Sequence, residues 1–402
     1  MPVNPMPANP VIETMVIQPT PFCNIACTYC YLPHRGDRSV MARETLQAAF
    51  ERVFASGWPA PELTVIWHAG EPLVLPVAYY RDAFDLIERM RPKTLRVRHA
   101  IQTNGMLITA AWCELFRDYH VGVGVSLDGP RHLHDAHRRT RSGRGTFDKT
   151  MAGINLLRRN GIDFHVITVL AQDSLDDPDG LVDFYIGEGI DQVCFNVEES
   201  EGDHQSALFA QADLRQRFTL FLDRFWRSAR QRGSFRLIRE IDAMLPRVLR
   251  PNEAVMTNEQ VVPFGMLNVA CNGDVSSFSP ELLGLKNAAY DDFIIGNVLT
   301  HSLEDMRTST TMQRMAHDIA RGVDACRENC AYFSVCGGGA PVNKLTETGS
   351  FASDRTRFCE LTQMVPIDLI LDALEQLDPI IQPPHDVASQ PTWRTQCHDA
   401  VA

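Results

Sequence analysis

Six short apolar runs recur through the first half of the chain: TMVIQPT (14–20), LTVIWHAG (63–70), LRVRHAIQTNG (95–105), VGVGVSLDG (121–129), FHVITVL (164–170) and QVCFNVEE (192–199). Each is rich in Val and Ile and breaks off at polar residues or Gly, as strands buried on both faces do. Between most of them lie amphipathic stretches of helical length. Examples are ARETLQAAFERVFASG, YRDAFDLIERMR and FDKTMAGINLLRRNG, the last ending in a Gly C-cap signal. Strand alternating with helix predicts βα units and a parallel sheet. Six units predict an α/β fold, an open, partial (β/α)6 version of the eight-fold barrel, with its site at the C-terminal ends of the strands. A further long helix is expected over about 206–232.

Beyond about residue 255 the pattern turns to short strands, turns and cysteines. VACNGDVSSFSP (269–280) reads as a hairpin with an Asn-Gly turn. LTQMVPIDLILDALEQL (361–377) reads as a helix, and the Pro-rich residues 379–402 as an irregular tail. The expected organisation is an N-terminal arm (1–13), a barrel (14–235), a cysteine-bearing domain (236–365) and a C-terminal helix and tail (366–402). No internal repeat is visible.

The length of 402 residues exceeds one ordinary core and fits a barrel with an appended module. Hydrophobic residues at 45% and charged residues at 22% are ordinary for a globular protein. No apolar run is long enough to span a bilayer, and MPVNPMPANPVIET lacks the basic start and apolar core of a signal peptide. A cytoplasmic protein with no membrane partner is expected. A formal net charge of -12 argues against nucleic acid as a partner, because phosphate binding needs a basic footprint. RHLHDAHRRTRSGRG (131–145) is either a local basic patch or a solvated loop.

Eleven cysteines are many for such a chain, and they are grouped. Cys23, Cys27 and Cys30 form one set, and Cys326, Cys330, Cys336 and Cys359 a second. In a reducing compartment such groups read as metal or redox sites rather than disulfides. Cys113 and Cys194 fall in helix and strand patterns and are expected in the core. Cys271 reads as a buried strand thiol rather than a stray ligand, and Cys397 as incidental. The first set directly follows the first strand, which places it at the barrel mouth. Three thiolates can hold three irons of a [4Fe–4S] cube and leave the fourth open to an exogenous ligand. A zinc ion would need a fourth ligand; His34 is near but follows Pro33.

The C-x-x-x-C-x-x-C spacing in FCNIACTYCYLP, with an aromatic before its last Cys, resembles the signature of the radical S-adenosylmethionine (SAM) superfamily. The resemblance implies that the missing ligand is the amino-acid part of SAM. It also implies one-electron cleavage of the sulfonium to methionine and a 5′-deoxyadenosyl radical. Other strand ends match in order. HAGEPL (68–73) resembles the family's Gly-Gly-Glu-Pro motif, with Ala69 in place of the first Gly. By resemblance, Gly70 lets the backbone approach closely, and Glu71 accepts from the SAM ammonium. Ser126 in VSLDGP and Arg138 ahead of GRGTF would meet the SAM carboxylate, Tyr29 the adenosine and Val197 the adenine wall. The resemblance covers about residues 14–235.

Residues 326–359 resemble the SPASM extension of radical SAM peptide-modifying enzymes, with departures. One extra residue separates Cys326 from Cys330, Ala340 stands at one cysteine position, and Phe278 at another upstream. The resemblance implies one auxiliary [4Fe–4S] cluster on Cys326, Cys330, Cys336 and Cys359; a zinc ion on the same four is the alternative. Gly337–Gly339 lacks the strand–loop–helix context of a phosphate loop.

IQPTPFCN, WHAGEPL, CNGDVSSFSPELLG and GGGAPVNKL…GSF together most resemble the cyclophane-forming radical SAM/SPASM peptide maturases. That implies a ribosomally made precursor peptide as substrate, a bond from an aromatic ring carbon to a β-carbon, and a flavodoxin- or ferredoxin-type electron donor. Rearomatisation needs a base, for which Asp128, Glu198 and Glu281 are candidates. One alternative is a sulfatase-type maturase forming formylglycine. Those enzymes keep both auxiliary clusters and an Asp where this chain has Ser279. The other is a non-catalytic, zinc-bearing protein-binding scaffold.

Overall fold

The computed structural model describes residues 6–200, 204–251 and 258–376. Its centre is β1 (Ile12–Ile17), β2 (Pro59–Trp67), β3 (Arg96–Thr103), β4 (Gly122–Ser126), β5 (Phe164–Leu170) and β6 (Gln192–Val197). These strands lie side by side in chain order, and every neighbouring pair is parallel. The connections carry α1 (Arg43–Ser56), α2 (Val77–Met90), α3 (Ala110–Asp118), α4 (Arg131–His137), α5 (Phe147–Arg159) and α6 (Pro178–Gly187). The expected α/β architecture is therefore present.

The helices form where an apolar stripe can close over the sheet. In α2 the buried residues Tyr80, Ala83, Phe84 and Ile87 repeat at helical spacing. Tyr80 and Phe84 meet Trp67 of β2 edge to face, with ring centroids 5.3 and 5.6 Å apart. The opposite face of the sheet looks into the barrel. There Val16, Ile66, Ala100 and Met266 form a small separate apolar cluster. Two residues further along their strands, His68 and Gln102 line the cleft described below. Gly124 leaves the interior open: a Cβ there would lie 2.0 Å from the Gln102 side-chain oxygen.

After α7 (Leu214–Arg232), the two-residue β7 (Leu237–Ile238) extends the sheet beside β6. On the other edge, β8 (Met266–Val269) pairs parallel with β1, so that Val16 faces Asn268. β9 (Asp274–Ser277) returns antiparallel, followed by β10 (Gly296–Asn297). The expected hairpin is thus real, and its outer role is to continue the barrel sheet. Gly273 sits in its turn at φ +90°, a value few other residues adopt.

Two boundaries differ from expectation, and one helix is additional. The helix expected from about 206 starts at Leu214. The stretch 361–377 is a wide turn, Glu360–Met364, running into the helix Val365–Glu375. The twenty-residue helix Thr310–Asn329 was not anticipated; Ser309 caps it and Cys326 lies in its last turn. The expected tail, with Cys397, lies outside the described residues. Among the described residues, no helix is long and apolar enough to cross a membrane.

Candidate active site

From β1 the chain turns through Thr20 into the first cysteine set. Three contacts hold this loop against residues 137–141. The Ala26 N–H donates to the Arg139 carbonyl at 2.7 Å and the Thr28 N–H to the His137 carbonyl at 3.1 Å. The Arg141 guanidinium donates to the Cys23 carbonyl at 3.1 and 3.0 Å. The Arg- and His-rich segment 131–145 is therefore a brace for the cysteine loop, rather than simply a basic patch or a solvated loop. On the other side, a Cβ at Gly70 would lie 2.6 Å from the carbonyl oxygens of Thr20 and Phe22, and Gly70 has φ +60°. The backbones can touch only because position 70 has no side chain. Ala69, buried beside it, holds φ +70° despite its Cβ.

Here the C-terminal ends of the strands open into a cleft. It is lined by Cys23, Cys27 and Cys30, and by Tyr29, Gly70, Glu71, Ser126, Arg138 and Val197. All the residues expected around SAM thus come to one space. Burial pushes the Cys23 thiol up to about 12 and the Cys27 thiol up to about 11, with the Arg138 charge opposing the second. Buried thiols of this kind give up their protons to a metal.

Glu71 is buried, and burial raises its pKa. Its carboxylate accepts from the Thr103 hydroxyl at 2.6 Å, the Asn104 N–H at 2.8 Å and the Leu73 N–H at 3.0 Å. Three of a carboxylate's roughly four acceptor positions are used, which leaves one for a ligand cation. Ser126 accepts from the Gln102 amide at 3.1 Å. Arg138 forms a buried pair with Asp128, and its guanidinium stands 5.4 Å from the Tyr29 ring centre.

The three base candidates are placed differently. Asp128 lies behind the cleft wall, accepting from Arg138, from the Tyr29 hydroxyl at 2.6 Å and from the Val169 N–H at 3.0 Å. Those contacts make it a positioning residue. Glu198 lines the cleft and is 2.9 Å from His204 Nε2. Glu281 is outside the cleft lining and accepts from the Ser279 hydroxyl. Sequence reasoning missed Gln102, Thr103 and Asn104, which all line the cleft. The signal was the polar QTNG closing an apolar strand. It also missed His68, whose buried Nε2 has no partner among the described residues. Burial takes the His68 imidazole down to about 4, so it faces the cleft uncharged.

A second, small cavity is lined by Cys326, Cys330, Cys336 and Cys359. Donors point at its sulfurs. The Thr356 N–H reaches Cys359 Sγ at 3.2 Å, Lys344 Nζ reaches Cys326 Sγ at 3.1 Å, and the Gly338 and Gly339 N–H groups bond Cys336. Gly337–Gly339 all have positive φ, which folds the chain around the sulfurs. Among the described residues, no three His, Cys, Asp or Glu side chains meet closely enough to hold a single metal ion. Four thiols around a cavity, each of three met by hydrogen-bond donors, suit an iron–sulfur cube. Cys113 and Cys194 are fully buried, and none of the described cysteines forms a disulfide.

The family model described as the Radical SAM superfamily matches residues 17–185. Residues 17–185 therefore form a radical SAM domain. An uncharacterized protein of Synechocystis sp. is 40% identical over 368 residues, 90% of this chain and 92% of that one. The serine-type anaerobic sulfatase-maturating enzyme of Bacteroides thetaiotaomicron is 25% identical over 340 residues, 81% of each chain. Among solved structures, native anSMEcpe with bound AdoMet and Kp18Cys peptide superposes with a TM-score of 0.74 at 19% identity, over 92% of this chain and 99% of that one. Streptococcus suis SuiB bound to precursor peptide SuiA gives 0.58 at 18% identity, over 87% and 76%. At those identities the radical SAM fold, with its C-terminal extension, is what is shared. Cys23, Cys27 and Cys30 lie inside that domain and would ligate a SAM-binding cluster. The single acceptor position left on Glu71 and the unpartnered His68 Nε2 face the space where SAM and substrate would lie.

Proposed function

We propose that this protein is a radical SAM peptide maturase that forms a cyclophane, joining an aromatic ring carbon to a β-carbon within a ribosomally made precursor peptide. When bound, SAM and the first cluster supply a 5′-deoxyadenosyl radical. The crosslink removes one hydrogen from each carbon, a two-electron oxidation of the peptide. Transfer of one hydrogen atom to the radical accounts for half. The remaining electron needs an acceptor, which Cys326, Cys330, Cys336 and Cys359 would hold, and the remaining proton needs a base. Glu198 takes that role better than Asp128 or Glu281, because it alone of the three lines the cleft. Tyr29, Glu71, Ser126, Arg138 and Val197 orient SAM. A flavodoxin- or ferredoxin-type protein supplies the priming electron, and the cytoplasm is the proposed compartment.

The observation that carries the reading is Phe278. It occupies the position where related maturases place a ligand of another auxiliary cluster. Here it is fully buried in the hydrophobic core at φ +74°, and Ser279 beside it is buried too. A buried apolar ring at 278 and a serine at 279 favour one auxiliary site over two and supply no carboxylate there, which supports this reading over formylglycine formation. The solved relative SuiB is bound to a precursor peptide, which fits a substrate of that class.

Coexpression with a short, aromatic-containing precursor encoded beside this protein tests the proposal. Mass spectrometry should find about two daltons lost per crosslink, with backbone fragmentation suppressed between the joined residues. A formylglycine product would instead assign the chain to sulfatase-type maturation. A colourless, zinc-bearing preparation would assign it to the scaffold class.

A further inference from the structure

The helix Pro341–Thr348 starts one residue after the three glycines, with Ala340 as its cap, and carries Asn343 and Lys344 in succession. Asn343 donates to Glu199, which lines the SAM cleft. Lys344 turns the other way, into the second cavity. It is 4% exposed. Its Nζ lies 3.1 Å from Cys326 Sγ and donates to the Gly322 carbonyl at 3.0 Å. Gly322 keeps the space clear, because a Cβ there would lie 3.2 Å from Nζ and 2.1 Å from the Phe351 carbonyl oxygen.

A buried ammonium is costly unless an opposite charge answers it. Among the described residues, no carboxylate pairs with Lys344. Asp354 also lines the cavity, but the groups that Nζ reaches are the Gly322 carbonyl and Cys326 Sγ, which would be a thiolate as a cluster ligand. We propose that Lys344 is the built-in counter-charge of the auxiliary cluster, and that it raises the cluster's reduction potential. This rests on the auxiliary-cluster reading above. Adding one electron to a four-thiolate cube makes it more negative by one charge. A fixed positive charge that also donates to a ligating sulfur stabilises the reduced form more than the oxidised form. The result is a better electron acceptor, one residue removed from the side chain that meets the substrate cleft.

The test uses full-length protein in which Cys23→Ala, Cys27→Ala and Cys30→Ala leave only the second site. Iron content and a redox titration followed by electron paramagnetic resonance are compared for Lys344, Lys344→Met and Lys344→Arg, with Lys344→Gln as a second neutral variant should the Met protein not fold. The expected result is about four irons in each, a lower midpoint potential for the neutral variants, and a midpoint near the parent's for Lys344→Arg. An unchanged midpoint in a neutral variant with full iron would overturn the proposal. So would an equal fall in Lys344→Arg, which would mean packing rather than charge. Loss of iron from both neutral variants would make Lys344 an assembly residue and also overturn it. A parent protein without iron at this site would instead remove the auxiliary-cluster reading itself.

Discussion

Both carboxylate oxygens of Asp128 clamp the Arg138 guanidinium, at 2.9 Å to Nε and 3.1 Å to Nη2, with only 8% and 1% of the two side chains exposed. The remaining edge, Nη1, donates only a long contact to Cys27 Sγ, at 4.0 Å. A SAM carboxylate would meet that edge, where a charge-assisted bond is worth about 1.5–3 kcal/mol. Arg138→Lys should therefore weaken SAM binding by about tenfold or more while iron content holds. Asp128→Asn should also weaken it, although Asp128 does not line the cleft. It should in addition destabilise the fold by about 3–5 kcal/mol, because a buried guanidinium loses its partner. Equilibrium SAM binding and denaturant unfolding of the two variants would check both effects; SAM affinity equal to wild type in both would return the pair to a purely structural role.

The two cysteine sets are expected to load independently. Intact protein should carry about eight irons, and the variant lacking Cys23, Cys27 and Cys30 about four. Cys27→Ala alone should abolish 5′-deoxyadenosine formation by reduced, reconstituted protein. Production at the wild-type rate would remove Cys27 from the SAM-binding cluster. About twelve irons in the intact protein would require ligands beyond those seven cysteines.

Ala69 and Gly70 should respond in opposite ways. Ala69 pays for a left-handed conformation, φ +70°, that costs a non-glycine residue about 1–2 kcal/mol. Glycine relieves that but loses more entropy on folding, by about 0.5–1 kcal/mol. Ala69→Gly is expected to be neutral or stabilising by up to about 1.5 kcal/mol. Gly70→Ala would drive a Cβ into two carbonyl oxygens of the cysteine loop and should lose the SAM-binding cluster first. Thermal unfolding and iron content measured on both variants would show the contrast, and a stable, fully loaded Gly70→Ala protein would contradict it.

His99 supplies a pH signature away from the cleft. It stacks on Phe84 at 4.2 Å and its Nδ1 accepts from the Trp67 indole at 3.3 Å. Burial pushes the His99 imidazole down to about 3, with Glu88 opposing. An unfolded histidine titrates near about 6.5. Between those values the unfolded chain holds a proton that the folded chain lacks. Stability from this group is therefore complete above about pH 6.5 and falls as pH drops toward the folded value, by up to about 1.4 kcal/mol per unit. His99→Gln keeps an acceptor for Trp67 and cannot titrate, so its stability should fall less between about pH 7.5 and about pH 5.5. Parallel wild-type and variant curves by denaturant unfolding would reject the assignment.

Much of the fold was legible because parallel strands buried on both faces write themselves as continuous apolar runs. The six runs gave six neighbouring strands in chain order. The cleft was legible at Cys23, Gly70, Ser126 and Arg138 through their resemblance to radical SAM motifs, although Arg138 closes the helix Arg131–His137 rather than a strand. What sequence could not separate was a carboxylate's job. Asp128 and Glu198 both follow strands, and only packing shows that one is clamped to an arginine while the other lines the cleft. The helix Thr310–Asn329 escaped notice although Met312, Met315, Ile319 and Cys326 fall on one buried face. Methionine and glycine make only a weak apolar stripe. The pairing of β8 with β1 has no local signal at all, since partners so far apart in sequence are chosen by the folded sheet.

That last pairing constrains how the chain is made. Thr14 cannot meet Met266 until the ribosome has released the extension. At about 5–20 residues per second, roughly ten to fifty seconds pass with the outer edge of the first strand unanswered. During that interval the nascent barrel offers an apolar, unpaired strand edge to any other chain nearby. A fragment ending near residue 235 would stay in that condition permanently, so it should self-associate rather than behave as a minimal barrel.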